Sequence, residues 1–178
     1  MDNFIAKLGE VMRAAQLCLT NKLGIPALIL IYSVIDIVAS LERQGNEGTQ
    51  KGFVRWVVRY LAPGGGLPCT PTELYSGRCG VIHTLSGESD LFRKGKARRV
   101  CYAYGSAPLE ALQEVLPMVG RDDVVIHADG LLALVSAGIN DYFAEVRSDP
   151  ERGKVVAHNA AKAFATITNK DIFGSRRV

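Results

Sequence analysis

Apolar residues recur three or four apart at Phe4, Leu8, Val11, Ala15 and Leu19. That spacing predicts a surface helix over residues 2–20 with one buried face, because side chains at this separation share a side of a helix. Residues 26–44 open on Pro26, which suits a first helical position, and carry Leu28, Ile29, Ile31, Ile35, Val38 and Leu41. Apolar on most sides, this segment reads as the central helix. After a break from Gly45 to Gly48, residues 49–62 set Phe53, Trp56, Val57, Tyr60 and Leu61 on one side, with Lys51, Arg55 and Arg59 elsewhere. Pro63-Gly64-Gly65-Gly66 ends that helix. The glycine run is a connector rather than a phosphate loop, since no strand precedes it and no Gly-Lys-Ser/Thr follows.

Thr70-Pro71-Thr72-Glu73 marks the next helix start: Thr70 caps, Pro71 fits the first position and Glu73 closes a capping box. Residues 84–99 are polar, whereas 99–104 and 124–126 are β-like runs. A small two-stranded hairpin or sheet is expected there, as an insertion spanning about 85–126. Between the runs, Ser106 is placed to cap a helix at 107–118. Asp129 is placed to cap a helix at 130–147 with Leu131, Leu134, Val135, Ile139, Tyr142, Phe143 and Val146 as its apolar face. Pro150 begins a last helix, to about 168, carrying Val155, Val156, Ala160, Phe164 and Ile167, and Arg176-Arg177-Val178 forms a loose tail. With no internal repeat or linker, the pattern predicts one mainly α domain over 1–178.

Composition narrows the function classes. At 178 residues and 48% hydrophobic, the chain can bury one sizeable core. A net charge of +3 tolerates an anionic partner but requires any nucleic-acid surface to be local. Cys18, Cys69, Cys79 and Cys101 form no CxxC pair and no zinc spacing with His83, His127 or His158. No metal or cofactor is therefore expected, and free thiols fit a reducing cytoplasm. The acidic, amphipathic N-terminus does not read as a secretory signal, and the apolar run Ile25 to Val38 is too short for a membrane span and contains Asp36.

The candidate chemistry lies in Glu73 to His83, where Arg78 and His83 stand five positions apart. A guanidinium offers a charged, planar fork of donors to phosphate, and an imidazole gives or takes a proton near neutral pH. Five positions correspond to about 140° around a helix, so the pair shares no face. Convergence then needs the reach of arginine, a local distortion or a second subunit. Gly77 and Gly80 permit distortion or close approach of another backbone. Asp36, a carboxylate on an apolar helix, needs a partner, and could hold Arg78, fix the tautomer of His83 or serve structure alone. Downstream, Arg93, Lys94, Lys96, Arg98 and Arg99 could hold RNA phosphates beside the site or form an ordinary solvated loop. Cys79 is either a small buried thiol or an activated one beside Arg78. His127 with Asp129 could orient a catalytic imidazole, although the sequence assigns it no nucleophile. His158 reads as an ordinary helix residue.

Leu74-Tyr75-Ser76-Gly77-Arg78-Cys79-Gly80-Val81-Ile82-His83 resembles the motif of the HEPN superfamily (higher eukaryotes and prokaryotes nucleotide-binding), whose nucleolytic members carry an arginine, four to six residues and a histidine. Ile31-Tyr32-Ser33-Val34-Ile35-Asp36 resembles the helix that packs behind that motif, so the likeness covers about the first half of the chain. The resemblance implies a HEPN-like helical bundle, a homodimer with both motifs in one cleft, and metal-independent RNA cleavage by Arg78 and His83. It also suggests a toxin or defence role, with an antitoxin protein as a possible partner. The alternative is a non-catalytic helical module that binds RNA, a nucleotide or a protein.

Overall fold

The structure is a computed structural model that describes residues 1–43 and 46–163. It is mainly helical with a small two-stranded sheet. The first four helices are α1 (Asp2–Thr20), α2 (Gly24–Ser40), α3 (Thr49–Tyr60) and α4 (Pro71–Thr84). They are followed by α5 (Asp90–Arg93), β1 (Val100–Ala103), α6 (Leu109–Met118), β2 (Val124–His127), α7 (Ala128–Ser148) and α8 (Pro150–Ala160).

α2 packs against α1, α3, α4 and α7, the central position its all-round apolar sequence predicts. Leu28, Ile31, Tyr32, Val34, Ile35 and Val38 are sealed from solvent. Each such side chain contributes roughly 1.5–3 kcal/mol of burial, which is why a continuous apolar run settles in the middle of a bundle. The helix starts earlier than expected, with Pro26 at its third position, and ends at Ser40. α1 buries Phe4, Leu8 and Ala15, while Val11 and Leu19 pack partly buried against the core. α3 buries Phe53, Trp56, Val57 and Tyr60 and leaves Lys51, Arg55 and Arg59 exposed. α7 crosses it closely: a Cβ on Gly138 would lie 3.0 Å from the Tyr60 carbonyl oxygen and 2.7 Å from a Leu61 methyl. Glycine is what allows that approach.

Of the two expected forms, hairpin or two-stranded sheet, the structure has the sheet. β1 and β2 run parallel, with Val100 opposite Val124 and Ala103 opposite His127, and α6 forms the crossover between them. A parallel pair cannot be joined by a tight turn, so the 104–123 segment, which contains the helix expected there, is a crossover. Two caps also differ. Pro108 rather than Ser106 precedes α6, and His127 precedes α7, putting Asp129 inside its first turn. The 84–99 segment contains α5, capped by the Ser89 hydroxyl, which accepts from Phe92 N at 3.2 Å. Pro150 does open α8, where Val156 and Ala160 are buried and Val155 is exposed. Phe164, Ile167 and the 176–178 tail lie outside the described residues. Among those residues no helix is long and apolar enough to cross a membrane.

Candidate functional site

α4 begins as its sequence dictates. Glu73 N donates to Thr70 Oγ1 at 3.2 Å and Thr70 N donates to Glu73 Oε2 at 2.8 Å, completing the capping box behind Pro71. The helix stays regular through Thr84 and stops at Leu85, whose φ of 51° is left-handed. Ser86 N then donates back to the Gly80 carbonyl at 3.1 Å.

The two motif glycines accommodate neighbours rather than a distortion. A Cβ on Gly80 would sit 2.2 Å from the Ser86 carbonyl oxygen, and one on Gly77 would sit 2.5 Å from the Tyr102 hydroxyl and 3.1 Å from that of Tyr32. Those hydroxyls bond each other at 2.5 Å, joining α2 to β1 across the face of α4. Burial raises the pKa of both phenols, so both are neutral and one donates to the other.

This packing sets Arg78 beside Asp36, one turn beyond Tyr32 on α2. Arg78 Nε donates to Asp36 Oδ2 at 2.8 Å and Nη2 forms an ion pair with the same oxygen at 2.7 Å, with side-chain exposures of 13% for the arginine and 19% for the aspartate. Arg78 Nη1 lies 2.9 Å from His83 Nε2. The long arginine side chain thus spans the 140° offset within one protomer and an undistorted helix. A guanidinium can only donate, so His83 Nε2 accepts, which puts the ring proton on Nδ1. Asp36 therefore holds Arg78, and Arg78 in turn selects the tautomer of His83. Burial pushes the Asp36 carboxyl up against the pull of Arg78, and leaves its Oδ1 without a hydrogen-bond partner. On Arg78, burial works against the charge, but the Asp36 hydrogen bonds outweigh it and the pKa stays above its ordinary value. Tyr75 stacks beneath the cation, 5.8 Å from ring centre to guanidinium carbon. Cys79 Sγ is 4.0 Å from Arg78 Nη1.

A groove of about 450 Å³ opens beside His83 and is also lined by Tyr75, Cys79, Arg93 and Lys94. Ser89, which lines the groove, meets Ser76 in a buried hydroxyl contact of 2.5 Å that ties the start of α5 to α4. Of the five predicted phosphate-binding cations, the fold brings Arg93 and Lys94 to this groove and places Lys96, Arg98 and Arg99 at another cavity, of about 560 Å³. Three of them are paired within the chain. Arg93 contacts Asp90, Arg98 Nε donates to Glu73 at 2.6 Å, and Arg99 Nε donates to Asp123 at 3.2 Å. Lys94 and Lys96 are exposed and form no ion pair among the described residues.

Sequence reasoning missed Tyr75, Ser76, Ser89 and the Tyr32–Tyr102 pair. Ser89 was recoverable as a cap ahead of Asp90-Leu91-Phe92, whereas the tyrosine pair joins residues 70 positions apart and leaves no local signal.

His127 stands apart from this site. Its Nε2 is 2.9 Å from the Gly105 carbonyl oxygen and its Nδ1 is 3.4 Å from Asp129, so both ring nitrogens meet acceptors. The adjacent cavity is lined by glycine, proline, leucine and isoleucine, with no hydroxyl or thiol to serve as a nucleophile. Among the described residues, no group of three or more His, Cys, Asp or Glu side chains is arranged to hold a metal ion.

No protein-family model matches the chain, and comparison with curated proteins and with solved structures likewise finds no match.

Proposed function

We propose that this chain is a HEPN-like metal-independent endoribonuclease that acts as a homodimer on RNA. The reading is carried by the contact of Arg78 Nη1 with His83 Nε2 at 2.9 Å, buttressed by Asp36, with His83 lining a groove that also holds Arg93 and Lys94 together with Glu88 and Asp90. Arg78 directs Nε and Nη2 to Asp36 and Nη1 to His83 and, at 4.0 Å, to Cys79 Sγ, which leaves one Nη2 N–H for a phosphate. An incoming phosphate oxygen competes with His83 for Nη1, and transfer of that hydrogen bond frees Nε2 to act as a base. His83 then removes the ribose 2′-hydroxyl proton, the 2′-oxygen attacks phosphorus, and the 5′-oxygen leaves with a proton from the partner protomer's copy of the same histidine, which enters the step as the imidazolium and ends it neutral. Arg78 stabilises the charge that develops on the pentavalent phosphate, so the account needs no metal for this role. The products are a 2′,3′-cyclic phosphate and a 5′-hydroxyl. A cytoplasmic toxin or defence role, held in check by an antitoxin protein, accords with this activity.

Expression tests the reading. Wild-type protein should slow growth and His83→Ala should relieve the effect, whereas equal growth with both argues for a second reading. In that reading the chain is a non-catalytic RNA- or protein-binding module, and the closed Asp36–Arg78–His83 chain of contacts favours it by engaging the imidazole already.

A further inference from the structure

A separate cavity of about 370 Å³ lies between the start of α2, the end of α4 and β1. Its volume falls within the range of small-molecule sites. Leu28 and Val81 give it apolar surface, and Tyr102 and Tyr104 give it aromatic surface. Arg99 and Arg121 are its charged residues, and no carboxylate lines it. The carboxylates that face these arginines are Asp123, contacted by both, and the half-exposed Glu88, 3.5 Å from Arg99 Nη1. Arg121 uses Nη2 for Asp123 and for Cys101 Sγ, the latter at 3.6 Å, which leaves Nε and Nη1 available to a ligand.

Several local choices shape this cavity at some cost. A Cβ on Gly24 would lie 2.4 Å from the Tyr104 ring, so glycine admits that aromatic wall, and one on Gly87 would lie 3.1 Å from Arg99 Cδ. Leu85 holds a left-handed φ of 51° where glycine is the default, and leaves its side chain 64% exposed on the cavity rim. An apolar residue kept in a strained and exposed position is explained if a bound molecule covers it. Val81 lines this cavity while Cys79 and His83, two positions to either side of it, line the groove, and an offset of two residues is about 200° around α4. The two openings therefore sit on opposite sides of the same helix.

We propose that this cavity binds a small aromatic monoanion. Its rings lie against Leu28, Val81 and the tyrosines, and its carboxylate, sulfonate or phosphate rests on Arg121 beside Arg99. The site stands whether or not the His83 groove cleaves RNA.

Fluorescence titration with 8-anilino-1-naphthalenesulfonate, with stoichiometry from equilibrium dialysis on the folded protein, tests it. One saturable site per chain is expected. Affinity should fall about ten-fold for uncharged N-phenyl-1-naphthylamine and about ten-fold in Arg121→Ala, with Arg121→Lys retaining most of it. Leu85→Gly, which removes the apolar rim and relieves the backbone, should bind about three-fold more weakly. The proposal is overturned by the absence of a saturable site or by equal affinity for the uncharged probe. Unchanged affinity in Arg121→Ala also overturns it, or, should that chain not fold, unchanged affinity in Leu85→Gly.

Discussion

Gly77→Ala places a methyl group 2.5 Å from the Tyr102 hydroxyl, 3.1 Å from the Tyr32 hydroxyl and 3.2 Å from Val100 Cβ. Such overpacking costs about 1–3 kcal/mol, and parting the 2.5 Å hydroxyl pair exposes a buried polar group to a penalty of similar size. Alanine returns about 1 kcal/mol of helix propensity. The net expectation is a loss of about 1–5 kcal/mol, or roughly 4–8 °C in Tm for a 2 kcal/mol change in a domain of this size. Urea unfolding measures it, and Tyr102→Phe sharpens the test. That change alone costs about 1–3 kcal/mol by orphaning the Tyr32 hydroxyl. It also removes the nearest obstacle, so Gly77→Ala should cost at least about 1 kcal/mol less in the Tyr102→Phe background. Equal cost in both backgrounds would refute the claim that the tyrosine pair is what demands a glycine beside Arg78.

Asp36→Asn should lower stability by about 1–3 kcal/mol in the same unfolding assay, because it leaves a mostly buried guanidinium without its counter-charge. It should also cut RNA cleavage; an unchanged midpoint would remove Asp36 from the account. At low pH, Glu73 is held below its ordinary value of 4.5: burial acts to raise it, but Arg98 and the Thr70 cap outweigh burial. A lowered carboxylate stabilises the fold fully above the ordinary value and loses that contribution as pH falls through the folded-state value. The stability of Glu73→Gln should thus vary less than that of wild type below pH 4.5, as followed by thermal melts across pH. Leu85→Gly should raise stability by about 0.5–1 kcal/mol by relieving the left-handed φ, and a fall in Tm would show that the leucine side chain contributes more than its exposure suggests.

What the sequence disclosed was whatever depends on neighbours along the chain. The Thr70–Glu73 box, Pro71 and Pro150 at first helical positions, and the apolar stripes of α1, α3 and α7 are local signals, and each appears where its spacing puts it. The apolar run of α2 implied the centre of the bundle because nothing else can satisfy it. The parallel sense of β1 and β2 was not legible, since strand direction depends on where α6 returns the chain. Arg78 and His83 could be named from their chemistry, but helical geometry set them on different faces. Their contact depends on arginine's reach, and on an α2–α4 packing fixed by Tyr32, Tyr102 and Gly77 at positions far apart in sequence. The basic run looked continuous, yet only folding shows that Arg98 and Arg99 turn to Glu73 and Asp123 while Arg93 and Lys94 stay beside His83.

The most direct test of the proposed chemistry is the incubation of mixed cellular RNA with purified protein in EDTA, beside Arg78→Ala and His83→Ala proteins of matched fold, with analysis of the fragment ends. The account predicts 2′,3′-cyclic phosphate ends from wild type and none from either variant. Intact RNA with the wild-type protein across several RNA classes, or cleavage that persists in His83→Ala, would contradict it.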